Sequence, residues 1–140
     1  MNVIGKSYPI HDAVGKSAGS TVYAGDIQLK GMLFAGLILS TIPHGYVKDI
    51  DFSDAKKMPG VAGWLSCLSN TGAPFCRYRN IKGQNTPDQE FVWNRHVRFV
   101  GDRIGCILAT SREEARKAVQ KVKVFYEEYP AALTIEQSLH

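Results

Sequence analysis

The stretch VRFVGDRIGCILATSREEARKAVQKVKVFYEE, residues 97–128, constrains the fold more than any other part of the chain. Short runs of alternating or wholly apolar residues flank a segment in which apolar residues recur at helical spacing. This order predicts a strand, a tight turn, a second strand, a helix and a third strand. A two-residue turn at Gly101-Asp102 is predicted to close a hairpin, because glycine tolerates a positive φ.

The second strand and the helix of this stretch have the clearest signals. The strand IGCILA, residues 104–109, is apolar on both faces, which predicts a place inside a sheet. Ser111 and Glu114 have the S-x-x-E spacing of a capping box, so a helix is predicted over 111–122. One apolar stripe at i, i+3, i+4 and i+7 indicates packing on a sheet; it consists of Ala115, Ala118, Val119 and Val122.

Upstream, strands are predicted at 20–27, 32–40, 46–52 and 61–67. A short helix is predicted at 53–58, where the Ser53 hydroxyl can accept from an otherwise unpaired backbone N–H. The predicted fold class is therefore α+β, with one mixed sheet, the long helix 111–122 packed on it, the short helix and a hammerhead-like hairpin. The 140 residues suit a single domain with a real core.

The composition is that of a globular protein with a mildly basic charge. Apolar residues make up 44% and the net charge is +4, which permits nucleic-acid or acidic partners without requiring them. Its longest apolar run, at 32–40, is far below the roughly 18 residues that span a membrane. The N-terminus lacks the apolar stretch of a signal peptide, which favours a cytoplasmic location.

The cysteines do not suggest a metal site in this chain. Cys67, Cys76 and Cys106 form no C-x-x-C pair, so a zinc or iron–sulfur site is not expected. Their odd number favours reduced thiols, and buried, mildly apolar side chains are the favoured interpretation.

Two glycine-containing segments fail as phosphate-binding motifs. In VGDRIG both glycines lie before or within the second strand, so the following helix cannot present its first N–H groups to a pyrophosphate. GKSAGST contains Gly-Lys-Ser, but Ile10 occupies the position five before Gly15 where the P-loop has glycine. A structural hairpin is the favoured interpretation of the first segment.

No catalytic constellation can be read from the sequence. The histidines, His11, His44, His96 and His140, are scattered along the chain and are interpreted as structural or surface residues. The acidic pairs Glu113-Glu114 and Glu127-Glu128 are interpreted as capping and solvated strand-end residues. No catalytic, cofactor-binding or metal-binding residue is predicted.

The irregular segment 69–95 leaves two interpretations open. A basic groove with aromatic stacking platforms binds single-stranded nucleic acid, and this region supplies such residue types. The candidates are Arg77, Arg79, Lys82, Phe91 and Trp93. The alternative, which is favoured, is a loop that packs its aromatic residues and docks to another protein domain. A small stand-alone enzyme with an unrecognised site is a third hypothesis.

Taken together, the segments resemble one known family. IGKSYPIHDAVGKSAGSTVYAGDI (4–27), MLFAGLILSTIPHGYVKDIDFSDAKKMPGV (32–61) and residues 97–131 resemble, in order, the a/b-hammerhead domain of the molybdenum-binding large subunit of the xanthine dehydrogenase and aldehyde oxidase family. His11 stands where the family usually has arginine, and Tyr129 where it commonly has leucine. Residues 69–95 match no family segment.

The resemblance implies a structural N-terminal domain of a molybdenum hydroxylase large subunit, not catalytic alone. The family's molybdopterin contacts and catalytic glutamate lie in later domains, so no site residue is carried over. Molybdopterin, iron–sulfur clusters and FAD are implied for the assembled enzyme, with the remaining domains and the FAD and iron–sulfur subunits or domains as partners. Because family subunits continue beyond the position of His140, a truncated subunit is expected, with an exposed apolar docking patch.

Overall fold

The computed structural model describes residues 4–69, 72–76 and 90–139. Contacts divide the chain into a first unit that ends at Met32 and a second that begins at Leu33. The first unit contains a short helix, α1 (Ala13–Ser17), and a 3-10 turn at Ala24–Asp26. The strand expected at 20–27 is therefore wrong. Asp26 accepts a hydrogen bond from the Tyr23 N–H at 3.0 Å, and this local bond favours a turn over a strand.

The second unit contains all the strands that the structure describes. Its elements are β1 (Phe34–Leu39), β2 (Gly45–Asp51), α2 (Ser53–Lys56), β3 (Val61–Ser66), β4 (His96–Val97), β5 (Arg103–Ala109), α3 (Arg112–Val119), β6 (Lys123–Glu128) and α4 (Ile135–Leu139). The predicted α+β class is confirmed. Both predicted helices are present but shorter than 53–58 and 111–122.

The strands form two antiparallel sheets instead of the one mixed sheet that was expected. Sheet A has the order β1-β5-β3, and sheet B has the order β4-β2-β6. The hairpin predicted at Gly101-Asp102 is also wrong, because β4 pairs with β2 and β5 pairs with β1 and β3. The segment between β4 and β5 carries the chain from sheet B to sheet A.

A buried carboxylate holds this crossing between the sheets. Asp102 is only 2% exposed. Its oxygens accept from the Asn94 amide at 2.7 Å, from the Arg103 N–H at 2.9 Å and from the Arg98 N–H at 3.3 Å. A hairpin would direct these donors elsewhere, so the bonds to Asp102 explain why the chain does not fold back.

Another of the chain's crossings between the sheets, the one after β1, meets this one through backbone hydrogen bonds. After β1 the chain passes from sheet A to sheet B, beginning at Ser40. The Ser40 N–H donates to the Asp102 carbonyl at 2.8 Å, and the Gly101 N–H donates to the Ser40 carbonyl at 2.8 Å. Ser40 is buried, and its hydroxyl donates to the Ile42 carbonyl at 2.9 Å. The two crossings therefore form one hydrogen-bonded joint.

The central strand of sheet A is the most buried strand, as its sequence predicts. In β5 the side chains of Ile104, Cys106, Ile107 and Ala109 are buried. The strand is covered by α3, whose Ala115 and Ala118 are also buried. The expected apolar stripe therefore packs on sheet A.

The ends of α3 follow from local hydrogen bonds. Ser111 accepts from the Glu114 N–H at 3.2 Å, so the predicted cap is confirmed. The Lys121 N–H donates to Ala118 and the Val122 N–H donates to Val119, each three residues back. These tighter turns end the helix before Val122, which packs against the core from its position just before β6.

Two described residues within segment 69–95 pair with each other. Phe75 and Glu90 form an isolated antiparallel bridge, with N–H to carbonyl distances of 2.8 and 3.1 Å. The Arg103 guanidinium lies 3.0 Å from the Glu90 carboxylate and connects this bridge to β5.

Replacement of Gly36 by alanine is expected to destabilise the domain. A Cβ at Gly36 would lie 2.9 Å from the Ala115 carbonyl oxygen and 2.9 Å from a Val119 methyl group. Because the first contact is backbone, α3 must shift, which costs about 1–3 kcal/mol of unfolding free energy. Gly63→Ala is the matched control, since a Cβ there meets nothing within 4 Å. Its effect should stay within about 0.5 kcal/mol in urea denaturation. Equal effects of the two substitutions would contradict the close packing of α3.

Removal of the Asp102 carboxylate is expected to weaken the joint between the sheets. Asp102→Ala leaves the Asn94 amide and two backbone N–H groups without their acceptor, which costs about 2–4 kcal/mol of unfolding free energy. Asp54→Ala is the control: Asp54 forms exposed ion pairs with Lys57 and Lys123, and such pairs contribute little. Thermal and urea unfolding of both variants would measure the difference. A stability of Asp102→Ala equal to that of the control would refute the role of the carboxylate.

Candidate functional site

Two histidines that lie 52 positions apart in the sequence meet in the structure. His44 immediately precedes β2 and His96 begins β4. The antiparallel pairing of these strands, with Tyr46 opposite His96, brings the two side chains together. Their Nε2 atoms lie 3.2 Å apart. The contact between the two histidines follows only from the long-range pairing of β2 with β4, which no local sequence pattern shows.

The hydrogen bonds assign the proton positions of this pair. The His44 Nδ1 lies 2.7 Å from the Pro130 carbonyl oxygen, which can only accept, so this nitrogen carries the hydrogen. The Nε2 of neutral His44 is then an acceptor, and the His96 Nε2–H donates to it.

Two tyrosines complete what we call the His–Tyr cluster: His44, Tyr46, His96 and Tyr129. Tyr46 stacks on His96 with 4.7 Å between ring centroids and an interplanar angle of 2°. Tyr129 meets His44 edge to face at 5.5 Å. The Tyr129 N–H also donates to the His44 carbonyl at 3.1 Å. The cluster therefore joins the start of β2, β4 and the segment after β6.

A cavity of about 640 Å³ lies beside this cluster. Its lining consists of Pro43, His44, His96, Arg98, Phe99, Val100, Ala131, Ala132 and Leu133. The polar side chains in this lining are two imidazoles and one guanidinium, and the other lining side chains are apolar. Imidazole groups of this kind are able to perform acid–base chemistry, whereas a metal ion needs more ligands than two. No three His, Cys, Asp or Glu side chains come together for a metal ion among the described residues.

The environment of His96 disfavours its protonated form. Partial burial lowers the pKa of His96 below its usual 6.5, and the nearby Arg98 and His44 lower it further. The carboxylate of Asp102 acts in the opposite direction with a smaller effect. This direction favours the neutral form of His96.

The cysteines are free, and two of them are buried. Burial raises the pKa of the Cys67 thiol to about 11, and burial also raises the pKa of Cys106. Both remain protonated near neutral pH and behave as the small apolar side chains that the sequence suggested. Cys76 is partly exposed.

The described part of the basic and aromatic segment does not form a stacking platform. Trp93 packs against the core, and Phe91 is half-buried. Arg95 donates from Nε to the Val47 carbonyl at 3.1 Å, which ties it to β2. Arg77, Arg79 and Lys82 lie outside the described residues. Of the described aromatic side chains, Trp93 therefore serves packing, which is one part of the interpretation that the sequence favoured.

No described helix is long and apolar enough to cross a membrane.

The architecture is that of a small α+β domain with two antiparallel sheets and one helix packed closely on sheet A. This arrangement matches a known family. Residues 18–130 match the family described as aldehyde oxidase and xanthine dehydrogenase, a/b hammerhead domain. The chain belongs to this family.

Known proteins similar to this chain are much larger. It is 32% identical over 139 residues to xanthine dehydrogenase/oxidase of Felis catus, covering 99% of this chain and 10% of that protein. It is 31% identical to the xanthine dehydrogenase molybdenum-binding subunit of Escherichia coli O157:H7, covering 91% and 18%. The structure of quinoline 2-oxidoreductase from Pseudomonas putida 86 superimposes with a TM-score of 0.78 at 30% identity, covering 96% and 17%. The chain thus corresponds to a small part of each.

The pKa of His96 makes the stability of the cluster depend on pH. A depressed folded-state pKa means that the unfolded chain binds the proton more tightly, so the stabilisation is complete above pH 6.5 and is lost as the pH falls through the folded-state value. Unfolding free energies measured by urea between neutral and mildly acidic pH should therefore fall less for His96→Gln than for the parent. His11→Gln, which removes an exposed histidine, should behave like the parent. An NMR titration placing the pKa of His96 at or above 6.5 would refute this assignment.

Proposed function

We propose that residues 1–140 serve as one structural, amino-terminal domain of the large molybdenum-binding subunit of a molybdenum hydroxylase. The assembled enzyme would be an oxidoreductase that hydroxylates purines or related heterocycles with oxygen from water. The domain itself is inactive alone. The observation that carries the proposal is an apolar sheet face, left open in a chain that matches only a small part of its relatives.

This open face is the side of sheet A that points away from α3. Gly36 faces the helix, so its neighbours Ala35 and Leu37 point outward. The register aligns Leu37 with Cys106 and Cys106 with Leu65, in one row across the sheet. Leu37 is 47% exposed and Leu65 is 44% exposed, whereas Cys106 between them is buried.

An outward face of this composition favours contact with another protein surface. Antiparallel sheets with one solvated face usually carry polar residues there. The outward residues of sheet A are apolar or glycine except at one end, where Arg103 lies opposite Leu39; the others are Ala35, Leu37, Leu39, Gly63, Leu65, Cys106 and Leu108. A contiguous patch of this kind marks an interaction site. We assign this patch, the outer face of sheet A, to contact with the rest of the molybdenum-binding subunit.

The cofactors of such an enzyme would be held by other domains. The similar subunit of Escherichia coli is named as molybdenum-binding. The described residues of this chain do not fit a metal or cluster site, because they bring no three ligand side chains together. Molybdopterin, iron–sulfur clusters and FAD would belong to the rest of the assembly, whose domains or subunits are the proposed partners. The free thiols support a cytoplasmic enzyme.

A domain exchange tests the proposal. This chain would replace the corresponding domain of the Escherichia coli molybdenum-binding subunit, and the molybdenum content and hydroxylase activity of the purified chimera would be measured. We expect assembly with retained molybdenum. Leu37→Asp with Leu65→Asp should abolish assembly, because two carboxylates would be buried at the contact, at several kcal/mol.

The control is Leu139→Asp, since Leu139 is exposed but lies outside sheet A, in α4. This variant should assemble like the parent chimera. Circular dichroism of the isolated variants separates misfolding from failure to dock. Normal assembly of the Leu37→Asp, Leu65→Asp chimera would show that the outer face of sheet A is not the contact.

A further inference from the structure

A cavity of about 270 Å³ touches both sheets at the carboxyl end of β1. Sheet A contributes the last residues of β1, and sheet B contributes β6. The end of α3 and the turn that follows it supply the remaining wall. We call this space the inter-sheet cavity and define it by its lining: Ile38, Leu39, Thr41, Val119, Gln120, Val122, Val124 and Tyr126.

The size and the walls of the inter-sheet cavity suit one aromatic ring. An apolar protein cavity of roughly 150 Å³ takes up a benzene molecule, and this cavity is larger. Most of its lining is aliphatic. Leu39 is 45% exposed, and the valines at 119, 122 and 124 pack against the core while staying partly exposed. The apolar walls can therefore be reached from solvent.

The charge of the lining restricts the kind of molecule that fits. None of the described residues that line the cavity is acidic, basic or a histidine. An ion that enters apolar surroundings without an opposite charge loses its hydration at a high cost in free energy. The cavity therefore favours a neutral molecule.

One hydroxyl gives the cavity a directed polar contact. The Tyr126 oxygen accepts from the Thr41 N–H at 3.4 Å, and both residues line the cavity, so the hydroxyl lies at its wall. A phenolic hydroxyl can accept and donate at the same time. Among the described residues, no side chain or carbonyl accepts its hydrogen. This hydrogen is therefore available to an acceptor on a ligand.

We propose that the inter-sheet cavity binds a small neutral aromatic molecule with one carbonyl acceptor, to which the Tyr126 hydroxyl donates. Ligand sites commonly combine apolar walls with a few placed polar groups, and the inter-sheet cavity has this combination. The aliphatic side chains would surround the ring, and Tyr126 would set its orientation. The inference is independent of the proposed function, since the lining of the cavity alone defines the occupant.

The test uses two probes of the same shape. Acetophenone carries the carbonyl acceptor, and α-methylstyrene has a CH₂ group in place of the carbonyl oxygen. Each would be titrated into the isotopically labelled 140-residue chain and followed by NMR chemical shifts. We expect both probes to shift the signals of the lining residues saturably. Benzoate should bind at least about tenfold more weakly than acetophenone, because its charge must be desolvated.

Tyr126→Phe tests the hydroxyl without removing the ring. It should weaken the binding of acetophenone by about fivefold, the effect of one neutral hydrogen bond, and change that of α-methylstyrene by less than about twofold. Tyr46→Phe is the matched control, because it removes a tyrosine hydroxyl outside the cavity. It should bind both probes like the parent.

Val122→Phe tests the location, because its ring would occupy the cavity. We expect it to prevent saturable binding of both probes. Val14→Phe, at an exposed position in α1, is the control for the added ring and should bind like the parent. Circular dichroism would establish that each variant is folded. If Val122→Phe does not fold, the comparison of the two probes on Tyr126→Phe still decides.

Each contrary result overturns the proposal. Lack of saturable binding by acetophenone, or shifts confined to residues away from the lining, would leave the cavity without the proposed occupant. An equal effect of Tyr126→Phe on the two probes would show that the hydroxyl does not donate to the carbonyl. Unchanged binding by folded Val122→Phe would place the probes elsewhere. Benzoate binding as tightly as acetophenone would contradict the preference for a neutral molecule.

Discussion

The structure depends on the joint at which two of the chain's crossings between the sheets meet, the crossing after β1 and the crossing before β5. Ser40 and Asp102 lie on opposite crossings and are linked through backbone hydrogen bonds of 2.8 Å. The Asp102 carboxylate, buried among three donors, fixes the second crossing. A buried carboxylate with all its partners is compatible with a core, whereas one deprived of them is strongly destabilising. The joint thus determines that β4 belongs to sheet B and β5 to sheet A, and with them the position of His96.

A second constraint is the close approach of α3 to sheet A. The absence of a side chain at Gly36 lets the helix backbone lie against β1. The small side chains of Ala115 and Ala118 allow α3 to pack close to the sheet. Because α3 occupies one face of sheet A, the contact that we propose with the rest of the subunit falls on the other face.

The sequence predicted those parts of the fold that local chemistry controls. The cap at Ser111, the stripe of α3 and the interior position of β5 depend on neighbouring residues or on periodicity, and all three are confirmed. The partners of β4 and β5 were wrong, because a glycine–aspartate pair also suits a crossing in which the carboxylate is buried. The resemblance to the hammerhead family is confirmed, since it rested on several ordered segments instead of one motif.

The candidate site was harder to predict than the fold. His44 and His96 meet only because β2 and β4 pair, and the sequence carries no local signal of that pairing. The outer face of sheet A was expected as an apolar patch, but its location required the register.

The bridge between Phe75 and Glu90 has a consequence for how this domain can vary. Together with the ion pair from Arg103, it joins the described residues on either side of the intervening segment and ties them to β5. The entropy of closing a flexible loop grows only logarithmically, by about 0.6 kcal/mol for each doubling of its length. Natural drift in length, or a reporter sequence inserted by design, can therefore be accommodated there while the two sheets keep their register.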